Sequence, residues 1–197
     1  MIYLVRHGQT EFNLARRYQG GLDSPLTEAG ADQARRVGAL LRGLLADHAG
    51  WELVASPQGR ARRTAAIINA QLGLPVTEDA RLREISLGAW DGLPIDEVRH
   101  RSPPGAGIWE RQLHAPGGES FEAISARIAD WLAEVDGSGR RIVAVSHGMA
   151  GRVLRGLYGR FSRQAMLELD VPQDAVFRLH DGRIERFDCP SEVQAAD

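Results

Sequence analysis

The sequence predicts an α/β fold built on a parallel sheet, and three observations predict it. Ile2-Tyr3-Leu4-Val5, Glu52-Leu53-Val54-Ala55 and Arg141-Ile142-Val143-Ala144-Val145 are short apolar runs rich in β-formers, the pattern of strands covered on both faces. Between and after them lie segments with apolar residues at three- and four-residue spacing, the mark of amphipathic helices. Each strand then turns abruptly polar, into Arg6-His7-Gly8-Gln9-Thr10, Ser56-Pro57 and Ser146-His147-Gly148. In an open α/β sheet the carboxyl ends of strands face the ligand crevice, so these polar ends are candidate chemistry.

At 197 residues, 43% apolar and 25% charged, the chain can bury a sizeable core, and a single domain over 1–197 is expected. A formal charge of −2 gives no support for nucleic-acid or membrane-surface binding. The lone Cys189 excludes an internal disulfide and any Cys-based zinc cluster, and fits a reducing compartment. No apolar run reaches membrane length and no basic leader precedes a hydrophobic stretch, so the expectation is a cytoplasmic protein.

In chain order, the first strand delivers Arg6, whose planar fork matches phosphate oxygens, and His7, whose neutral imidazole can attack phosphorus. Gly8 lets the backbone approach a ligand. Gln19-Gly20-Gly21-Leu22-Asp23-Ser24-Pro25 has loop composition. Thr27 is the expected N-cap of a scaffold helix whose stripe is Val37, Leu40, Leu41, Leu44 and Leu45. After the second strand, Ser56-Pro57 reads as N-cap and first residue of another helix. On it Ala61, Ala65, Ile68 and Leu72 face inward, while Arg60 and Thr64 share a face. Arg62 and Arg63 read as solvated, whereas Arg60 sits in the first turn, where free amides already favour an anion.

Leu82 to Gly92 reads as an extended segment breaking into a glycine-punctuated loop; Glu84 becomes a candidate proton donor if it reaches a phosphate pocket. The irregular stretch that contains Pro103-Pro104-Gly105-Ala106-Gly107 reads as a mobile cap, about 93–118. Trp90 and Trp109 are candidates to shape an alcohol pocket with it. Gly117-Gly118-Glu119-Ser120 introduces a helix lined by Phe121, Ile124, Ile128, Trp131, Leu132 and Val135, with Trp131 in the core. The third strand repeats the arrangement of the first, ending in His147-Gly148, so two histidines from different strands can meet in one crevice. A zinc site is the weaker reading, because no His-x-x-x-His pair or carboxylate cluster completes it.

Four motifs in this order resemble the histidine phosphatases, or phosphoglycerate mutase-like superfamily. They are Val5-Arg6-His7-Gly8-Gln9-Thr10 with Asn13; Ser56-Pro57 with Arg60-Ala61 and Thr64; Leu82-x-Glu84 with Gly88-x-Trp90-x-Gly92; and Ser146-His147-Gly148. The resemblance implies a three-layer α/β/α sandwich with a mostly parallel sheet and a small cap from the middle of the chain. It implies His7 as the nucleophile that becomes phosphohistidine, Arg6, Arg60 and His147 as ligands of the phosphoryl group, and Glu84 as general acid and base. Asn13, Gln19, Gly20 and Gly148 would line the substrate pocket, and the family uses no metal or other cofactor. Two guanidinia and a protonated His147 would meet the phosphate oxygens, while His7 stays neutral with its other ring nitrogen donating to a backbone carbonyl.

The acceptor of the phosphoryl group separates phosphatase from mutase. Mutases of this family carry a longer insertion with a lysine and two adjacent arginines. Here only Leu93 to Pro116 fills that space, with Arg99, Arg101 and Arg111, and the chain contains no lysine. Met149 stands where mutases place asparagine. The expected function is therefore metal-independent hydrolysis of a small phosphomonoester, with a phosphoglycerate mutase or a catalytically silent phospho-ligand binder as alternatives. The physiological substrate and the oligomeric state are not encoded in any of these motifs.

Overall fold

The computed structural model describes residues 1–45, 47–102 and 107–190. The Pro103 to Ala106 run of the expected cap lies outside them. The chain begins β1 (Ile2–Arg6), α1 (Glu11–Leu14), α2 (Glu28–Leu44), β2 (Trp51–Ala55), α3 (Gly59–Leu72) and β3 (Val76–Glu78). Two 3₁₀ turns (Ala80–Leu82 and Gly88–Trp90), α4 (Ile95–Arg101), α5 (Ile108–Gln112) and α6 (Phe121–Val135) follow. It closes with β4 (Arg141–Ser146), α7 (Gly148–Tyr158), α8 (Arg163–Glu168), β5 (Ala175–His180) and β6 (Arg183–Asp188).

The strands form one sheet in the order β3-β2-β4-β1-β5-β6. The pairs β3–β2, β2–β4 and β4–β1 are parallel, and only the β5 pairings are antiparallel. Alternation of side chains along these strands splits the core in two. Ile2, Leu4, Ile142 and Ala144 face α6 and α7 through Ile124, Ile128, Trp131, Val153 and Leu154. Tyr3, Val5, Val143 and Val145 face α2 and α3 through Val37, Leu41, Ala61, Ala65 and Ile68. This is the expected three-layer sandwich, with the central β4 buried on both faces; full burial of each such Val, Ile or Leu stabilises by about 1.5–3 kcal/mol.

Thr27 caps α2 by accepting from the Gly30 amide, and Ser120 caps α6 by accepting from Ala123. The expected start of α3 is corrected: the helix begins at Gly59 with Gln58 as N-cap. Ser56 is not the cap, because its buried hydroxyl is held by His147 at 2.7 Å. The segment from Leu82 to Gly92 is extended only in part: 3₁₀ turns end at Leu82 and span Gly88–Trp90, with Arg83 and Asp91 in extended backbone. Leu82, Ile85, Leu87 and Trp90 all enter one core. The stretch expected to be a cap is more regular than its composition suggests, since Ile95 and Val98 in α4 and Trp109 in α5 pack onto that same core.

Three strands escaped the sequence reading. β3 is exposed along its whole length and has no apolar run. The β5–β6 hairpin did carry a signal, Asp181-Gly182, whose φ values of 50° and 71° make the two-residue turn that this dipeptide favours. Among the described residues no helix is long and apolar enough to cross a membrane.

Candidate active site

Because β1 and β4 are parallel neighbours with Arg6 opposite Ser146, the residue after each strand emerges at the same edge. Those residues are His7 and His147, and their ring centroids lie 5.1 Å apart. β2, on the other side of β4, contributes Ser56 at its own end, hydrogen-bonded to His147 Nε2. Three strand ends thus build one buried polar cluster.

His7 Nδ1 lies 2.8 Å from the Gly8 carbonyl, an acceptor only, so Nδ1 carries the proton and Nε2 the lone pair. Burial, then the Arg60 and Arg6 cations, hold its pKa well below the ordinary 6.5, against the opposing pull of the Gly8 carbonyl. Gly8 cannot be another residue, since a Cβ would stand 2.2 Å from the Gly30 carbonyl oxygen. Its amide donates to Thr64 Oγ1, which in turn donates to the Arg60 carbonyl. Thr64 therefore ties the His7 loop to the first turn of α3.

Protonation of His147, expected where it meets a phosphate, is opposed by its protein surroundings. Burial, followed by repulsion from Arg60, His7 and Arg6, pushes its pKa well below 6.5. Its Nδ1 is buried without a hydrogen-bond partner among the described residues.

Arg60 is 1% exposed and engaged at each of its three nitrogens. It donates from Nη1 to Leu22 O and Asp23 Oδ1, both at 3.1 Å, from Nη2 to Gly20 O at 2.9 Å, and from Nε to His7 Nε2 at 3.3 Å. Desolvation lowers its pKa, and Glu84 and Asp23 counter the loss. Arg6 donates to the Val171 carbonyl at 2.6 Å, while its buried Nε has no partner among the described residues. Burial pushes Arg6 down to about 10.

Glu84 reaches the cluster in an unexpected posture. Its carboxylate accepts the backbone N–H groups of Ile85, Met149 and Ala150, each at 3.0 Å. The last two are free amides of the first turn of α7, whose own N-cap, His147, makes no side-chain cap bond. Arg127 positions this segment, donating to the carbonyls of Arg81, Arg83 and Glu84 and gripping Glu119 with the Nε–Nη2 edge of its fork.

A cavity of about 290 Å³ opens here, bordered by Arg6, His7, Asn13, Gln19, Glu84 and Gly148 of the expected set. Arg60 and His147 lie buried against His7. Gly20 is placed differently from expectation: it lies outside the cavity wall, its carbonyl held by Arg60 and Gln58 and its amide by Asp91. Glycine is needed there because a Cβ would come within 2.5 Å of the Ile85 carbonyl oxygen. Trp109 borders the cavity, whereas Trp90 is buried in the core.

Sequence reading missed Arg17, Tyr18, Ile95, Gln112 and Gln173, which complete the wall. Gln173 donates to the His7 carbonyl and to Asn13 Oδ1, bridging the β5 approach to the His7 loop. No local signal marks these residues; only the closure of the fold brings them in. Among the described residues no three His, Cys, Asp or Glu side chains gather as a metal site requires.

Comparison with known proteins places this geometry. The profile of the histidine phosphatase superfamily (branch 1) matches residues 2–184. "Probable phosphoglycerate mutase GpmB" of Salmonella paratyphi C is 40% identical over 159 residues, 76% of this chain and 70% of that protein. The mycobacterial glucosyl-3-phosphoglycerate phosphatase Rv2419c, solved with VO3, superposes with a TM-score of 0.77 at 28% identity, covering 96% of this chain and 99% of that one. The alpha-ribazole phosphatase of Shigella flexneri gives 0.77 at 25% identity, covering 96% of each chain.

Proposed function

The chain belongs to the histidine phosphatase superfamily, and from that premise we propose that it hydrolyses small phosphomonoesters through a phosphohistidine on His7. One observation carries the proposal: the Gly8 carbonyl holds the proton on Nδ1 and so puts the lone pair on Nε2, where it accepts from Arg60 Nε until a phosphoryl group arrives, with Arg6 bordering the same cavity. Nε2 attacks phosphorus as the bond to the alcohol oxygen breaks, and Glu84 gives that oxygen a proton. Water then attacks the phosphohistidine, loses a proton to Glu84 and releases inorganic phosphate, restoring neutral His7.

The unpartnered Arg6 Nε and His147 Nδ1 suit two of the phosphoryl oxygens, and the Arg60 guanidinium suits the third. Arrival of a phosphate dianion favours a proton on His147, opposing the burial and the repulsion that lower its pKa. The cationic partners of the phosphoryl group are then side chains, with no metal in this reading. The chain acts as one domain, with the segment about 93–118 as a cap over the cavity, in a reducing cytoplasmic setting that suits the single cysteine.

The kinship to proteins named as mutases favours a second reading, phosphoglycerate exchange. Absence of lysine and of adjacent arginines in the short cap argues for water as the acceptor. The test is phosphate release from aryl and alkyl phosphates in excess chelator, with His7→Ala as control. Hydrolysis that survives the chelator, stops with vanadate and is lost in His7→Ala is the expected result. Activity that vanishes with chelator and returns with magnesium or zinc would sink the metal-independent mechanism.

A further inference from the structure

The reading above leaves Arg152 without a task. It lies in α7, 3% exposed, and its buried Nε and Nη1 have no hydrogen-bond partner among the described residues. Buried donors are nearly always paired, so an unpaired buried guanidinium asks for a ligand. Arg155, on the same helix and equally buried, shows what a structural arginine looks like here: it pairs with Asp170 and lies over the Phe177 ring.

The carboxylates near Arg152 are committed elsewhere. Glu84 is held by three backbone amides, and Asp170 by Arg155 and Arg186. Burial, with Arg6 and Arg155 close by, pushes the guanidinium down to about 9, and Glu84 and Asp170 only partly offset this. The neighbourhood carries more cation than anion.

Arg152 does not itself border the cavity, but its neighbours on α7 and α5 do, and they say where the missing anion would sit. Arg152 is one helical turn beyond Gly148, on the same face of α7, and Gly148 borders the cavity. Helical side chains lean toward the N-terminus of their helix, which here is the end carrying Gly148 and Glu84. The guanidinium carbon lies 3.6 Å from the centroid of Trp109, the cap residue that lines the same cavity.

We propose that Arg152 is a specificity-determining residue that receives a second anionic group, carboxylate or phosphoryl, on the leaving alcohol of the substrate. This rests on the phosphomonoesterase reading and narrows it. A cavity of about 290 Å³ suits a short phosphorylated acid or a small bisphosphate rather than a nucleotide.

The experiment compares substrates that differ only in the second charge: 3-phosphoglycerate against glycerol 3-phosphate, and propane-1,3-diyl bisphosphate against propyl phosphate. The wild type is expected to favour the doubly charged member of at least one pair by roughly tenfold or more in kcat/KM, and the pair that shows it identifies the anion. Arg152→Met keeps an apolar stem of similar length and removes the donors, together with the guanidinium that lies over Trp109. It should collapse that ratio towards one, mainly through KM, and Arg152→Lys should restore part of it. A ratio unchanged in Arg152→Met, or no preference in either wild-type pair, overturns the assignment.

A measurement on the wild type alone guards against a variant that fails to fold. The charged members should inhibit aryl phosphate hydrolysis more tightly than their partners, and equal inhibition also overturns the assignment. Hydrolysis without preference rejects this inference and leaves the phosphatase reading standing. Failure of the wild type to hydrolyse any phosphomonoester removes both.

Discussion

Arg60 donates its Nε–H to His7 Nε2 at 3.3 Å, so the guanidinium occupies the lone pair that the proposed attack on phosphorus requires. An incoming phosphoryl oxygen must take over that N–H before His7 is free. Substrate binding and activation of the nucleophile are then the same exchange of hydrogen bonds. A lysine cannot bridge Gly20, Leu22, Asp23 and His7 at once. Arg60→Lys should therefore lower kcat/KM for an aryl phosphate by about 10²–10³. Stopped-flow phosphate release on the folded variant, checked by circular dichroism, measures it, and near-wild-type turnover would remove Arg60 from the chemistry.

Glu84 has a structural duty that competes with its proposed one, because its carboxylate supplies the cap that His147 does not give α7. Glu84→Gln replaces one acceptor oxygen with an NH₂ and loses a hydrogen bond from a backbone N–H at that helix start. This damage is common to every substrate, whereas loss of the acid is not. General acid catalysis is worth about 10²–10⁴, so alkyl phosphates should lose on that order in the phosphorylation step, and an activated aryl phosphate far less. Single-turnover formation of phosphohistidine separates the two, since steady-state rates mix in the later hydrolysis. Equal losses would leave Glu84 as a helix cap and nothing more. Asp91 and His114 are then the other acids near the segment, and since Asp91 is occupied by the amides of Gly20 and Leu22, His114 would be the next to test.

Exchange between 2- and 3-phosphoglycerate should be slow beside hydrolysis of the best phosphomonoester. Mutase chemistry holds the phosphorylated intermediate away from water while the product reorients, and two short cap helices with no lysine offer no dedicated clamp. Nuclear magnetic resonance of the phosphorus signals follows both reactions in one tube. Rapid interconversion stimulated by catalytic 2,3-bisphosphoglycerate would make the protein a mutase.

Stability should fall as pH drops below the imidazole range. Both His7 and His147 have folded pKa values well below 6.5, so on acidification the unfolded chain takes up protons that the native one refuses. Their contribution is present above about pH 6.5 and lost as pH falls towards the folded pKa values, by at most about 1.4 kcal/mol per pH unit for each histidine. Thermal melts between pH 7.5 and 4.5 should show a shallower acid slope for the His7→Asn, His147→Asn double variant than for the wild type. Parallel slopes would mean that neither ring is desolvated as described.

How much was legible in the chain follows from the range of each interaction. The apolar runs of β1, β2 and β4, the Thr27 cap and the stripe of α6 were readable because strand, cap and helix signals lie within a few residues of one another. The sequence by itself also determined which residues stand at the strand ends, and hence His7, His147 and the family resemblance. Their meeting required β1 to lie beside β4, a choice of strand order made by packing of two cores. The tertiary structure alone decided that Ser56 serves His147 rather than α3, that Glu84 caps a helix distant in sequence, and that Arg155 finds an acid while Arg152 does not. A side chain's type is written in the chain, but its partner depends on register and packing between segments remote in sequence, which no local pattern carries.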